Sequence, residues 1–176
     1  MAVPGELRFK LVSSPVGALM LVASARGLAA VLWENDDPRR VPLCALERDD
    51  RDGTLLEAER QLAEYFAGGR RAFDLPLDFR GTEFQRGVWA ALLAIPYGET
   101  RSYGEIARAV GRPAAVRAVG AANGRNPISI VAPCHRVVGA SGRLTGFAGG
   151  LRAKAFLLAL EGAERPEAPD LFDARL

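Results

Sequence analysis

The chain has 176 residues, 49% of them hydrophobic and 25% charged, and a formal net charge of +2. This is an ordinary globular balance, with enough length for a real core in one large or two small domains. There is no charged-then-apolar leader and no apolar run of bilayer length, which argues against a secreted or membrane-spanning protein.

In chain order, residues 6–33 read as antiparallel β-structure. Leu7, Phe9 and Leu11 alternate with Arg8 and Lys10, the period of a half-buried strand. Turns at residues 13–17 and 24–27 separate it from an apolar run at Ala18–Ala23 and a third strand at Leu28–Trp33. Asn35–Asp52 is charged, holds two prolines and is expected to be loop. Thr54 is placed to N-cap a helix running to about Phe66, with Leu55, Leu62 and Phe66 inward and Gly68-Gly69 as its stop. Phe73–Phe79 contains Pro76 and is at best an edge strand. No chemistry is apparent up to this point.

Thr82 opens a second unit. Phe84, Val88, Leu92 and Ile95 fall at helical spacing, and Pro96 ends the helix. Ser102 with Glu105 forms a capping box for a short helix over Tyr103–Val110. Gly111-Arg112-Pro113 breaks it, Pro113 fits a helix start, and the next helix is expected over Ala114–Ala122. Leu151–Glu161 reads as a last helix, with Phe156, Leu157 and Leu160 inward and Gly162 following it. The tail from Ala163 carries Pro166 and Pro169 and is expected to be loose.

Charge is unevenly distributed. Residues 34–64 carry ten acids against five arginines, whereas residues 101–154 carry nine Arg or Lys against Glu105 alone. A half of one sign is the footprint of a polyanion binder. Two short helices across a Gly-containing turn in that half read as a helix-turn-helix. Its second helix offers small residues and one long side chain, Arg117. That suits shape-dominated docking in a minor groove better than readout of major-groove base edges. The same Ala-rich stripe also fits a buried core helix.

Pro133-Cys134-His135-Arg136 sets one of only two cysteines beside the only histidine. A thiol next to an imidazole is a nucleophile candidate; the bland alternative is a structural Cys in a buried strand. Ile128–Val131 before it is a short β-like run. If the backbone were extended at Cys134 and His135, their side chains would diverge, favouring a bridging water over direct contact. Cys44 lies ninety positions from Cys134, which is no disulfide framework and points to a reducing cytoplasm. One His and two distant Cys make no zinc spacing, so neither metal nor cofactor is expected.

Pro133-Cys134-His135-Arg136-Val137-Val138, with Asn126-Pro127 upstream, Gly149-Gly150 and Glu161-Gly162 downstream, and Gly98-Glu99-Thr100-Arg101-Ser102-Tyr103, resembles the O6-alkylguanine-DNA alkyltransferases. The match runs over Thr82–Gly162, and the N-terminal part agrees in size and β-then-α order. The resemblance implies an α+β fold. An N-terminal antiparallel sheet with a helix (ribonuclease H-like) over residues 1–80 is followed at 81–162 by a mostly helical, DNA-binding and alkyl-acceptor domain with a winged-helix-like helix-turn-helix; 163–176 is a tail. It implies a stand-alone bacterial type, monomeric, that binds double-stranded DNA containing O6-alkylguanine. The lesion base is flipped out, and its alkyl group passes irreversibly to Cys134.

The same resemblance assigns His135 as base through a water, Glu161 as its orienter and Asn126 as a bridge around the site. Arg117 fills the gap left by the flipped nucleotide. Ala115, Val116 and Gly120 share that helix's DNA-facing surface, Tyr103 belongs to the base pocket, and Lys154 lies near its rim. The Val137 carbonyl and the Ala148 N–H face the base. Phe147 stands where the family often has tyrosine, so the ring can wall the pocket without a hydroxyl contact. Two other readings share these residues: a non-catalytic binder of alkylated DNA, as in alkyltransferase-like proteins that lack the cysteine, and a thiol hydrolase, whose Cys and His usually lie far apart in sequence.

Overall fold

In the computed structural model, which describes residues 6–163, β1 (Leu7–Val12), β2 (Leu19–Ser24) and β3 (Gly27–Trp33) form an antiparallel meander. The β2–β3 turn needs glycine. Gly27 sits at φ +146°, and a Cβ there would come 2.3 Å from the Pro76 carbonyl oxygen. A short β4 (Leu46–Arg48) lies within the expected loop and pairs in parallel with β1, giving the order β3-β2-β1-β4. The sheet is therefore mixed, not purely antiparallel. β4 is three residues long and mostly exposed, and it leaves no periodic trace in the sequence.

Helix α1 (Gly53–Phe66) begins two residues earlier than expected. Asp52 is the N-cap, and its side chain accepts from the Leu55 N–H, a role assigned above to Thr54. Asp52 also takes an ion pair from Arg8 at 2.6 Å, which fixes the helix start against β1. Leu55, Ala58, Leu62 and Tyr65 form the buried stripe of α1, while Phe66 is only half-buried.

Helix α2 (Glu83–Leu93) carries a full capping box between Thr82 and Gln85. Strand β5 (Arg101–Ser102) leads directly into α3 (Tyr103–Ala109), whose Ser102–Glu105 capping box forms as the sequence implies. Helix α4 spans Val116–Gly124; Pro113 stays in the preceding turn rather than opening the helix, and the N-cap residue Ala115 makes no side-chain cap bond. Ile128–Val131 makes isolated bridges, Ile128 to Val31 and Ser129 to Ala132, not a strand. Cys134–Arg136 is one 3-10 turn, followed by β6 (Val137–Val138) paired in parallel with β5, and then by α5 (Leu151–Leu160). Phe156, expected inward, is 40% exposed. Of the tail expected from residue 163, all but Ala163 lies outside the described residues.

The main core crosses the expected domain boundary. Leu19, Leu21, Leu28 and Val31 pack with Leu55, Leu62 and Tyr65 and also with Ile128, Ile130 and Leu157. A second core joins Val88, Trp89 and Leu92 of α2 with Ile106, Val119, Ala122, Val137 and Cys134 itself. Burial of this kind makes each large aliphatic residue worth about 2–5 kcal/mol against truncation to Ala. It also makes the 128–136 segment a shared wall between the sheet and the helices.

Candidate active site

Four buried residues meet at the turn that carries Cys134 and His135. The 3-10 conformation replaces the extended backbone from which divergent side chains were argued above. Asn126 is fully buried and staples the segment: its Nδ2 donates to the Ala132 carbonyl at 2.8 Å, and its Oδ1 accepts from the Ile128 N–H at 3.0 Å.

Glu161 is the C-cap of α5, an end where the helix dipole disfavours a carboxylate. Three groups compensate. Oε1 accepts from His135 Nε2 at 2.7 Å, from the Tyr65 hydroxyl at 2.7 Å and from Arg136 Nη2 at 2.9 Å; Oε2 accepts from Arg136 Nε at 2.8 Å. Burial pushes the Glu161 carboxyl up, but the His135 and Arg136 hydrogen bonds outweigh it and hold the pKa at about 2. An ionised carboxylate can only accept, so His135 carries its proton on Nε2. Its Nδ1 is then a lone-pair acceptor, and it is buried with no hydrogen-bond partner among the described residues. Burial holds the imidazole below its ordinary pKa despite Glu161, which favours the neutral form with its lone pair at Nδ1.

Tyr65 has no part in the sequence reading and Arg136 enters it only as a member of the Pro-Cys-His-Arg run, yet both complete this cluster. Arg136 also donates to the Ile95 carbonyl at 2.6 Å and lies over the Tyr97 ring at 5.7 Å. The sequence did hold a signal for each. A charge inside the apolar run Val131–Val138 needs a buried partner, and a tyrosine on the inward stripe of α1 needs one for its hydroxyl.

Burial pushes the Cys134 thiol up; hydrogen bonding by Asn126, the Arg40 and Lys154 charges, and hydrogen bonding by Ser129 pull the other way. Lys154 is fully buried, not at a rim. Its Nζ donates to the Val137 carbonyl at 2.6 Å and to the Thr145 carbonyl at 3.3 Å. Burial lowers its pKa to about 8, opposed by the Cys134 charge. The Val137 carbonyl thus already accepts one hydrogen bond and keeps one lone pair open. The N-terminal part, in which no chemistry was apparent, supplies Tyr65 here. It also supplies Arg40, whose Nη1 donates to the Asn126 carbonyl at 2.7 Å while Asp36 holds its Nη2 at 2.6 Å.

The remaining expected residues lie around this centre. Tyr103 is half-buried in the Cys134 core, with its hydroxyl 2.6 Å from Thr145 Oγ1 and its ring facing Gly120. Phe147 is half-buried and meets Trp33 edge-on at 5.3 Å, with half-buried Ala148 beside it. Gly149 lies flat on the same indole; a Cβ there would come 2.6 Å from the Trp33 ring. On α4, Val119, Ala122 and Asn123 are buried, whereas Val116, Arg117, Ala118 and Ala121 are exposed and Ala115 and Gly120 are intermediate. This is an amphipathic helix presenting small residues and one arginine, not a core helix. Arg117 has no hydrogen-bond partner among the described residues. No group of three or more His, Cys, Asp or Glu among the described residues could hold a metal ion.

Comparison with known proteins then decides the family. Residues 83–163 match the 6-O-methylguanine DNA methyltransferase DNA binding domain, and residues 7–79 match the ribonuclease-like domain of the same proteins. The chain belongs to the 6-O-methylguanine DNA methyltransferase family. Within it, a methylated-DNA–protein-cysteine methyltransferase of Mycolicibacterium paratuberculosis is 50% identical over 95% of this chain and 99% of its own length. One of Methanosarcina acetivorans is 50% identical over 88% of this chain and 98% of its own. The Mycobacterium tuberculosis family member solved in complex with DNA superposes with a TM-score of 0.81 at 48% identity, covering 90% of this chain and 95% of that one.

Proposed function

We propose that this chain repairs DNA by direct damage reversal, moving the alkyl group of O6-alkylguanine, and of O4-alkylthymine, onto Cys134 once per molecule. Family membership and the near-full-length relatives named methylated-DNA–protein-cysteine methyltransferases support the reaction class. The observation that carries the site assignment is the Glu161–His135 hydrogen bond, which leaves Nδ1 buried, unpartnered and next in the chain to the thiol.

Helix α4 docks in the minor groove, where Ala118 and Ala121 allow close approach and Arg117 enters the stack to replace the flipped base. Extrusion costs a few kcal/mol, which a planar, charged plug offsets. The base enters between Tyr103 and Phe147, with the Val137 carbonyl and Ala148 N–H at its edge. Cys134 gives its proton through a water to His135 Nδ1, and Glu161 stabilises the imidazolium that forms. The sulfur lone pair forms the S–C bond as the C–O6 bond breaks. The electron pair stays on the base, which takes back one proton and leaves as guanine. The thioether product has no proton to lose and no leaving path, so the protein is spent.

The division into a 1–80 unit and an 81–162 unit describes the roles rather than the core, since the first unit buttresses the second. We further infer a monomer acting in the cytoplasm. Both cysteines are unbridged, and no helix of the described residues is long and apolar enough to cross a membrane.

Intact mass after incubation with O6-methylguanine DNA tests the proposal. Wild type should gain one methyl group, and Cys134→Ala should gain none while still binding the DNA. Tight binding without any gain by wild type would favour a non-catalytic lesion binder, and steady ester or peptide turnover would favour a thiol hydrolase.

A further inference from the structure

Tyr103 and Phe147 both pack against the buried cluster that contains Cys134, one from the start of α3 and the other from the glycine-rich segment 139–150. One hydrogen bond ties α3 to that segment. The Tyr103 hydroxyl lies 2.6 Å from Thr145 Oγ1, and among the described residues no other hydrogen bond runs between the two. Thr145 is held on its other sides as well. Its carbonyl accepts from Lys154 Nζ at 3.3 Å, and its methyl group covers Gly139, where an added Cβ would come 3.5 Å from Thr145 Cγ2. Because Cβ of threonine is a stereocentre with a stiff χ1, placing the methyl also places the hydroxyl oxygen, here against Tyr103. Further along the segment, Phe147 meets Trp33 edge-on and Gly149 lies on the same indole. The segment is thus pinned to the sheet at one end and to α3 at the other.

We propose that Thr145 is a positioning residue for alkyl transfer: its hydroxyl holds the Tyr103 phenol, and through it sets the gap between Tyr103 and Phe147 that receives the flipped base. A planar base presented to a sulfur needs walls at a fixed spacing, because small misplacement of reacting atoms is costly in rate. The Tyr103 ring also faces Gly120 of α4, so one chain of contacts runs from the helix that docks on DNA, through Tyr103 and Thr145, to the loop. Thr145 lies outside α4 and leaves the exposed face around Arg117 untouched. Its contribution therefore belongs to the transfer step and not to DNA affinity.

The inference rests on the base pocket and the repair reaction proposed above, and its test includes a readout of the loop that needs no DNA. Arg143 is exposed in the segment, so the rate of trypsin cleavage after Arg143, followed by peptide mass, reports how often the segment opens. Single-turnover methyl transfer at saturating O6-methylguanine duplex, and affinity for that duplex, are measured on the same proteins. Thr145→Val keeps the shape and loses the hydroxyl. It should be cleaved about fivefold faster and transfer about fivefold more slowly, with affinity unchanged. Thr145→Ser keeps the hydroxyl and should stay within about twofold of wild type. Adding Thr145→Val to Tyr103→Phe should cost nothing further, because the two hydroxyls act as one unit. Transfer by Thr145→Val equal to wild type, a loss confined to affinity, or a full further loss in the Tyr103→Phe background overturns the proposal. If wild type takes no methyl while the cleavage rates still differ, the repair reading fails and the tie between Tyr103 and the loop stands. If wild type transfers and the cleavage rates coincide, the tie falls and the repair reading stands.

Discussion

Glu161 and Cys134 are both buried acids joined through His135, yet their surroundings are built on opposite plans. Around Glu161 every charge is matched: the carboxylate takes four hydrogen bonds from His135, Tyr65 and Arg136, and its pKa is held at about 2. Around Cys134 the balance is left open. Among the described residues Lys154 is buried against backbone carbonyls with no carboxylate partner, and burial raises the thiol pKa. The first cluster is finished before substrate arrives and orients the imidazole. The second carries a positive charge that is matched only when the thiolate forms. Static compensation and deferred compensation thus sit one residue apart.

The largest expected effect comes from breaking the finished cluster. Glu161→Gln strands Arg136 as a buried charge and should cost about 3–5 kcal/mol in chemical denaturation, with methyl transfer falling as well. Its pH signature is specific. The folded Glu161 pKa lies below its ordinary value, so it contributes stability above about pH 4.5 that is lost as pH falls toward about 2. In Glu161→Gln that acid slope should flatten.

Lys154→Met should separate the two properties. Methyl transfer at neutral pH is expected to slow about tenfold as the thiolate loses its nearby charge. Stability should be unchanged or rise by about 1 kcal/mol, because an unpaired buried ammonium is removed. The folded Lys154 pKa of about 8 lies below its ordinary 10.5, so the unfolded chain binds more protons between those values and wild-type stability rises with pH across that window. The rise should vanish in the variant. If Lys154→Met instead unfolds the protein as Glu161→Gln does, the contrast between the clusters collapses.

The smallest effect is expected from Tyr65→Phe, which removes one donor and leaves the Arg136 fork in place. About 1.5 kcal/mol of stability should be lost, with methyl transfer changed less than in Glu161→Gln. A loss as large as that of Glu161→Gln would mean that the hydroxyl, not the guanidinium, holds the carboxylate.

Much of the frame around these clusters is legible along the chain. The alternation at Leu7–Leu11, the Ser102–Glu105 capping box and the Pro-Cys-His-Arg run are local patterns, and the structure places a strand, a helix start and the central turn there. What escapes is what packing decides. Asp52 and Thr54 are both competent caps, and the ion pair from Arg8, 44 residues away, accompanies Asp52. Whether a lysine or arginine is buried depends on partners from other elements, so Lys154 reads as a rim residue and Arg136 as one more positive charge. Tyr65, 96 residues from Glu161 in sequence, completes the site from a unit with no motif of its own. The turn at Cys134 is set by bonds from Asn126 and by the strained Ile130, neither of which carries a periodic signal.

The central claim is that Cys134 is a single-use acceptor, and stoichiometric titration tests it most directly. Increasing amounts of duplex carrying O6-methylguanine are added to a fixed amount of protein, and both repaired base and methylated Cys134 peptide are counted. Repair should plateau at one base per protein molecule, with every methyl group found on Cys134. Repair continuing beyond one equivalent, or methyl recovered on any other residue or as free methanol, would contradict the account.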